Sequence, residues 1–484
     1  MSKNIKSITN PKLSLNILTP AKVHKIHEAT LHIIETVGVR FPSKRALEIW
    51  AANGAEVDRE KMIVRVKPHI IEAALKLAPP AYDLGARDIT QNCPMDGNHV
   101  FLGTDGCGVE VIDIQTGQKR TSELKDVADI ARLADATEEI GFHWVALSAQ
   151  DKPAPTRGLH EVKAVWENST KHVQTESIYN EREARAAMEM AVAVAGSKEE
   201  LRRRPVLSLM QCTAPPLGHD GGSLDAALVA AEYGVPTGFM TMAANLTTGP
   251  ATMAGNLVVG NAEVISATAL IQLAYPGAPV FYAAAQTASD LRSGAYTGGG
   301  PEDFLYGAAT NVLADFYNLP LSMGAFATGA KEPNWQAGFE NGLSTMMACI
   351  VMSDMLLGAG FLHGSRIWSY AEMMLDCEIF SIIHKMMQGI AVDDETLALD
   401  VIANVGPGGS FLTQKHTRKH MRDIFLPQFM DRRPYSEWEA HQDEARDWAL
   451  EKARKTLASH LPDPLDAKVS TELARIISSA EREN

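Results

Sequence analysis

Between residues 99 and 360 short apolar runs alternate with amphipathic stretches, and this alternation predicts a series of βα units. Strands are predicted at 100–103, 143–147, 172–175, 206–210, 237–241, 280–283, 321–324 and 355–358. Eight strands with helices between them make the number of a (β/α)8 TIM barrel, an α/β fold. The helix predicted at 124–136 sets Val127, Ile130, Ala131, Leu133 and Ala134 on one face. Others are predicted at 224–233, 255–273, 302–317 and 336–352. The stretch 106–120 is too polar for a helix and alternates Val109, Val111 and Ile114 around Gln115-Thr116-Gly117, which predicts a hairpin inserted after the first strand.

The flanks carry a helical period instead. Val23, Ile26, Leu31 and Ile34, then Ala46, Leu47, Ile49 and Trp50, then Ile70, Ile71, Ala74 and Leu75 predict three helices, with Gly38 and Gly54 at helix C-termini and Pro79-Pro80 closing the block. After residue 371 the pattern is again helical, interrupted at 404–411 and ending in a charged amphipathic helix over 436–459. The expected organisation is an N-terminal helical extension (1–95), a catalytic barrel (96–370) and a C-terminal helical segment packed on the barrel (371–484).

Composition narrows the classes. The 484 residues are 45% apolar and 21% charged, enough for a large core. A formal charge of −14 opposes a nucleic-acid partner. Five scattered cysteines without a CxxC pair predict reduced thiols, and a cytoplasmic protein. Residues 1–19 lack the apolar centre of an export signal, and the apolar run 346–359 is broken by Ser353-Asp354 and too short for a bilayer of roughly 30 Å, so no membrane partner is expected.

Several motifs read as structure. Gly406-Pro407-Gly408-Gly409 lacks the Lys and Ser/Thr of a phosphate loop and reads as a turn. His416 and His420 lack the glutamate of a zinc-protease helix and read as a solvated basic face. The glycines around His219-Asp220 have the wrong spacing for corrinoid ligation by this chain. No G-x-S-x-G elbow is present.

Barrel sites are built at strand C-termini, which here gather Thr104, Asp105, Ser148, Gln150, Thr175, Glu176, Gln211, Thr241, Gln286, Phe326 and His363. This ring mixes carboxylates with amide and aromatic groups and has no His/Cys cluster, so no metal is expected. Tyr282, Tyr296, Phe326, Trp335, Phe361 and Trp368 lie on or just past the strand ends. Each alone reads as packing under a loop; together they suit a cation, which aromatic faces hold for about 0.5–2 kcal/mol each. His363-Gly364-Ser365-Arg366 follows the eighth strand, where Arg366 suits either a substrate carboxylate or a neighbouring acidic side chain.

With these residues go Ala52-Asn53-Gly54-Ala55-Glu56-Val57-Asp58, Leu84-Gly85-Ala86-Arg87-Asp88, Gly249-Pro250-Ala251-Thr252, Asn261-Ala262-Glu263, Pro276-Gly277-Ala278-Pro279, Gly329-Ala330-Lys331, Gln336-Ala337-Gly338, Val405 to Gly409, Phe411-Leu412, His416-Thr417 and Trp438. In that order they resemble the trimethylamine methyltransferase (MttB) family over nearly the whole chain. The resemblance implies transfer of a methyl group from an amine to the cobalt of a separate corrinoid protein. The family's founding enzymes use pyrrolysine; this sequence has none, which places it with the branch acting on quaternary amines such as glycine betaine, proline betaine or carnitine.

Chemistry agrees with that division: when Co(I) attacks a methyl of a quaternary ammonium, the leaving group is a neutral tertiary amine that needs no covalent adduct. On this reading Asp105 and Glu176 support the cation, His363 and Arg366 hold a substrate carboxylate, and Tyr282, Phe326, Trp335 and Trp368 form the cage. The implied partners are a cognate corrinoid protein, whose cobalamin accepts the methyl, a small quaternary amine, and a second copy in a homodimer. No tightly bound cofactor is implied. The competing readings are a barrel lyase or hydrolase using Asp105 or Glu176 as base, and a non-catalytic betaine-binding protein.

Overall fold

Eight parallel strands close on themselves in this computed structural model, which describes residues 7–9, 15, 17–106, 108–296 and 298–482. They are β1 (His99–Thr104), β2 (Ile140–Trp144), β3 (His172–Thr175), β4 (Leu207–Cys212), β5 (Thr237–Thr241), β6 (Val280–Ala284), β7 (Leu321–Gly324) and β8 (Met355–Ala359). Each pairs with the next, and β8 pairs with β1, so the sheet is a (β/α)8 barrel. All eight predicted strands are present. The largest shift is in β2, expected at 143–147, because Val145, Ala146 and Leu147 are buried beside the loop after β1, where Gly108 N–H donates to the Ala146 carbonyl at 3.0 Å.

Period-two alternation sorts the strand residues. Phe101, Phe142, Trp144, Met210, Met240, Phe281, Met355 and Leu357 fill the barrel interior, while the residues between them face the helices. Two glycines make room for this aromatic filling. A Cβ on Gly103 would lie 2.5 Å from the Phe142 ring, and one on Gly238 would lie 1.9 Å from Phe281.

The outer layer begins with α1 (Pro20–Thr36), α2 (Lys44–Ala52) and α3 (Pro68–Leu75), joined by a three-stranded antiparallel sheet (Val39–Arg40, Ile63–Arg65, Glu56–Asp58) that periodicity did not predict. The surrounding helices are α4 (Leu124–Ala136), α5 (Arg157–Asn168), α6 (Glu181–Ala195), α7 (Lys198–Arg203), α8 (Gly221–Tyr233), α9 (Met253–Ala274), α10 (Pro301–Tyr317), α11 (Trp335–Ile350) and α12 (Tyr370–Met387). Helix α9 has the length and composition to cross a membrane, but most of it is buried against the barrel and the N-terminal helices. One tie is polar: the Asn261 amide donates to Thr30 Oγ1 at 3.0 Å and to the Tyr317 hydroxyl at 2.8 Å.

The inserted hairpin is present as Glu110–Ile112 paired with Lys119–Thr121. It joins Ile367–Trp368 and Phe361–Leu362 in a four-stranded sheet on the C-terminal side of the barrel.

Beyond α12 come four short helices, α13 (Asp394–Leu397), α14 (Leu399–Val405), α15 (Lys415–His420) and α16 (Tyr435–His441), none with a buried residue. The helix expected over 436–459 is broken at Gln442, whose φ is +42°. The break lets α17 (Ala445–Ser459) bury Ala449 and Ala453 against α12 and α4. Helix α18 (Ala467–Arg482) then packs on α5 and α6.

Candidate functional site

The parity that puts Phe101 and Gly103 inside the barrel also turns Asp105, the first residue past β1, into its mouth. By the same count Gln174 leads to Glu176 beyond β3, and Met210 leads to Cys212 at the end of β4. Asp105 and Glu176 are 9% and 5% exposed. The Asp105 carboxylate accepts the Gly106 N–H at 2.9 Å, and the Ser365 hydroxyl nearby favours its charged form; burial nonetheless pushes it up to about 6. Glu176 is pushed up to about 8 by burial and then by the charge of Asp105. Its Oε2 accepts the Cys212 thiol at 3.7 Å, while its Oε1 is buried with no hydrogen-bond donor. Cys212 is raised by burial and then by Glu176, which favours its protonated thiol form.

An indole borders this pair. The ring of Trp144 lies so close to Gly106 that a Cβ there would stand 2.4 Å from it, and the Trp144 Nε1 is buried without an acceptor. Across the mouth, Tyr296 is 38% exposed and its hydroxyl donates to the Ala285 carbonyl at 3.0 Å. Tyr296 also borders a cavity of about 30 Å³ at the ends of β6 and β7, lined in part by Gln286, Asp303 and Tyr306. There Asp303, hydrogen-bonded by Thr287 and Gly300, is pushed up to about 7 by burial.

Backbone strain sets the eighth loop. His363, Gly364 and Ser365 take successive φ values of +57°, +62° and +60°, a left-handed run held by His363 N–H to Ala330 O at 2.8 Å and Gly364 N–H to Thr328 O at 2.9 Å. The run brings Ser365 onto Asp105 and leaves Arg366 exposed on the rim. His363 is lowered by partial burial and then by the neighbouring charges of Lys331 and Arg366.

Of the residues expected from sequence, the structure brings Asp105 and Glu176 together and puts His363 beside Arg366. The four cage candidates lie elsewhere. Tyr282 points outward between β6 and α9, where its hydroxyl donates to Asn261 Oδ1 at 3.2 Å; strand parity decides this, since Phe281 takes the inner position. Phe326, at φ +51°, is buried in the layer between barrel and helices, with its N–H on Ser344 of α11 at 3.2 Å. Trp335 begins α11, is 81% exposed and stacks on Phe339 with centroids 5.6 Å apart. Trp368 is fully buried edge-on to Phe361 at 5.3 Å. Thr241 also turns outward and donates to Glu263 of α9 at 2.8 Å.

Trp144, Cys212 and Ser365 were missed, and Tyr296 was noticed without being chosen. Counting by twos from the interior residues reaches Trp144 and Cys212; Ser365 depends on the left-handed turn, which has no comparable sequence signal. Among the described residues no group of three or more His, Cys, Asp or Glu is arranged to hold a metal ion. Cys93, Cys212, Cys349 and Cys377 form no disulfide, and Cys107 lies outside the described residues. The glycines beside His219 serve packing: Cβ atoms on Gly221 and Gly222 would stand 2.2 and 1.9 Å from the carbonyls of Pro42 and Tyr179.

The family model for trimethylamine methyltransferase (MTTB) matches residues 1–484. The chain belongs to the trimethylamine methyltransferase family. It is 32% identical over 465 residues to trimethylamine methyltransferase MttB of Desulfitobacterium hafniense (strain DSM 10664 / DCB-2), covering 96% of this chain and 93% of that one. It is 32% identical to MttB of Methanosarcina barkeri, covering 97% and 96%. It is 33% identical over 471 residues to the glycine betaine methyltransferase of Desulfitobacterium hafniense (strain Y51), covering 97% and 98%. The crystal structure of the Methanosarcina barkeri monomethylamine methyltransferase (MtmB) aligns with a TM-score of 0.47 at 11% identity, over 96% of this chain and 92% of that one. The protein is therefore a methyltransferase with its acid pair at the C-terminal mouth of the barrel.

Proposed function

We propose that this methyltransferase demethylates a quaternary amine, glycine betaine or a related betaine such as proline betaine or carnitine, and passes the methyl to the Co(I) of a separate corrinoid protein. The C–N bond breaks with its electron pair left on nitrogen, releasing a neutral tertiary amine. Co(I) supplies the pair for the new Co–C bond and becomes methyl-Co(III). No proton is needed for departure, so the carboxyls can serve the cation.

The observation that carries this reading is the buried Glu176 Oε1, without a donor, beside Asp105 and the Trp144 indole. A quaternary ammonium cannot donate an N–H hydrogen bond and is held by negative charge and aromatic faces. Trp144 and Tyr296 take the roles first expected of Tyr282, Phe326, Trp335 and Trp368. Arg366 and Lys331 supply positive charge on the rim for the betaine carboxylate, and His363, kept neutral by partial burial and by those charges, offers a ring N–H beside them. A cytoplasmic location belongs to the same reading.

The test incubates the purified chain with reduced cobalamin or the cognate corrinoid protein and a panel of glycine betaine, proline betaine, carnitine and trimethylamine. Methyl-Co(III) formation with a stoichiometric tertiary amine is expected from a betaine. Turnover from trimethylamine alone, or no cobalt methylation across the panel, overturns the proposal.

A further inference from the structure

The cage of Trp144 and Tyr296 leaves one wall of the mouth unaccounted for, the recess at the ends of β6 and β7. Its lining includes Ala285, just past β6, and Gly324, the last residue of β7, both at inward positions by strand parity, with Gln286, Asp303 and Tyr306 behind them. Tyr296 joins the recess to the acid pair. A Cβ on Gly364 of the eighth loop would stand 3.8 Å from its ring, and its phenol is raised by burial and then by the charges of Asp303 and Asp105. The recess is therefore a side pocket of the same mouth.

Most of its polar groups are already matched. Asp303 accepts the Thr287 hydroxyl and the Gly300 N–H, the Tyr306 hydroxyl donates to Asn245 Oδ1, and the Tyr296 hydroxyl occupies the Ala285 carbonyl. Gln286 Nε2 donates to the Asn256 carbonyl at 2.8 Å. Gln286 Oε1 is the exception: it has no donor among the described residues, although Gln286 is only 3% exposed. An acceptor buried without a donor is costly, so a ligand group that donates to it is favoured. Burial pushes Asp303 up to about 7, so near neutral pH the recess calls for a neutral donor rather than a second cation. Quaternary methyl groups have no such donor, and a carboxylate has none and is opposed by the acceptor oxygens already there. A volume of about 30 Å³ has room for one oxygen-sized group and not for a ring.

We propose that this recess takes a hydroxyl of the substrate, donated to Gln286 Oε1, so that the quaternary amine is one carrying a hydroxyl close to its ammonium, as carnitine and choline do. The inference rests on the demethylation reading above and narrows it, because glycine betaine and proline betaine have no such hydroxyl. The ammonium lies against Asp105, Glu176 and Trp144, and the hydroxyl reaches past Tyr296. A second anchor of this kind also fixes which methyl is presented for transfer.

Two matched pairs of ligands differ only at the hydroxyl: carnitine against its deoxy analogue, and choline against propyltrimethylammonium. Calorimetry with the full chain needs no corrinoid, and the hydroxylated member of each pair should bind about tenfold tighter. Cobalt methylation should show the same ratio in kcat/KM. Gln286→Leu, which removes the acceptor, should bring both ratios to about one. Gln286→Glu, which keeps an acceptor oxygen but loses the donor to Asn256, should retain them. Equal or weaker binding of the hydroxylated members overturns this inference and leaves the demethylation reading standing. A preference that Gln286→Leu keeps, or that both variants lose, overturns it as well, since the hydroxyl is then not read by Gln286 Oε1. Failure of every quaternary amine to bind or to methylate cobalt overturns the proposed function and this inference with it.

Discussion

Asp105 and Glu176 stand two strands apart at the barrel mouth, and the charge of Asp105 helps push the Glu176 carboxyl up to about 8. Near neutral pH the pair thus holds a proton that a permanent cation would expel. Binding of tetramethylammonium or glycine betaine should strengthen as pH rises from about 6 to about 8, by up to about tenfold per unit for one linked proton. Calorimetry in buffers of different ionisation enthalpy should show net proton release.

The sign reverses for the free protein. Glu176 ionises near its ordinary value of 4.5 when unfolded but near 8 when folded, so its contribution to stability falls as pH climbs through that window. Glu176→Gln, which cannot ionise, should flatten that decline, read by urea unfolding at pH 5 and 8. Tetramethylammonium should protect wild type more at pH 8 than at pH 6, and this difference should vanish in the variant.

Replacing one acid keeps shape and removes charge. Glu176→Gln and Asp105→Asn should each lower kcat/KM for a quaternary amine by roughly 30-fold or more, about 2 kcal/mol for a buried charge contact. Steady-state cobalt methylation checks this.

The Trp144 indole borders the acid pair through its contact with Gly106. Trp144→Leu should raise KM for the cation by about 2- to 30-fold, the range of one cation–π contact. An uncharged tert-butyl analogue used as inhibitor should lose far less, which separates charge recognition from lost packing.

The barrel interior sets a stability test remote from the mouth. Gly238→Ala drives a methyl group to 1.9 Å from the Phe281 ring and should destabilise the fold by about 1–3 kcal/mol in denaturant titrations. Gly117→Ala, whose Cβ meets nothing within 4 Å but whose φ is +70°, should show only the backbone penalty of about 1 kcal/mol.

Apolar periodicity and turn residues determined the barrel, its flanking helices and the inserted hairpin by themselves, because strand and helix patterns are local and α4 carries its amphipathic face in thirteen consecutive residues. Position at a strand end also put Asp105 and Glu176 among the residues expected at the mouth. What tertiary structure alone decided is direction and company. Parity relative to the filled interior turned Tyr282 out to Asn261 and brought Trp144 to the mouth, and a left-handed turn put Ser365 rather than Arg366 on Asp105. The physical reason is that a pocket is assembled from residues far apart in the chain: one step of strand register, or one sign of φ, moves a side chain from the site to the core without altering the sequence pattern that places the strand.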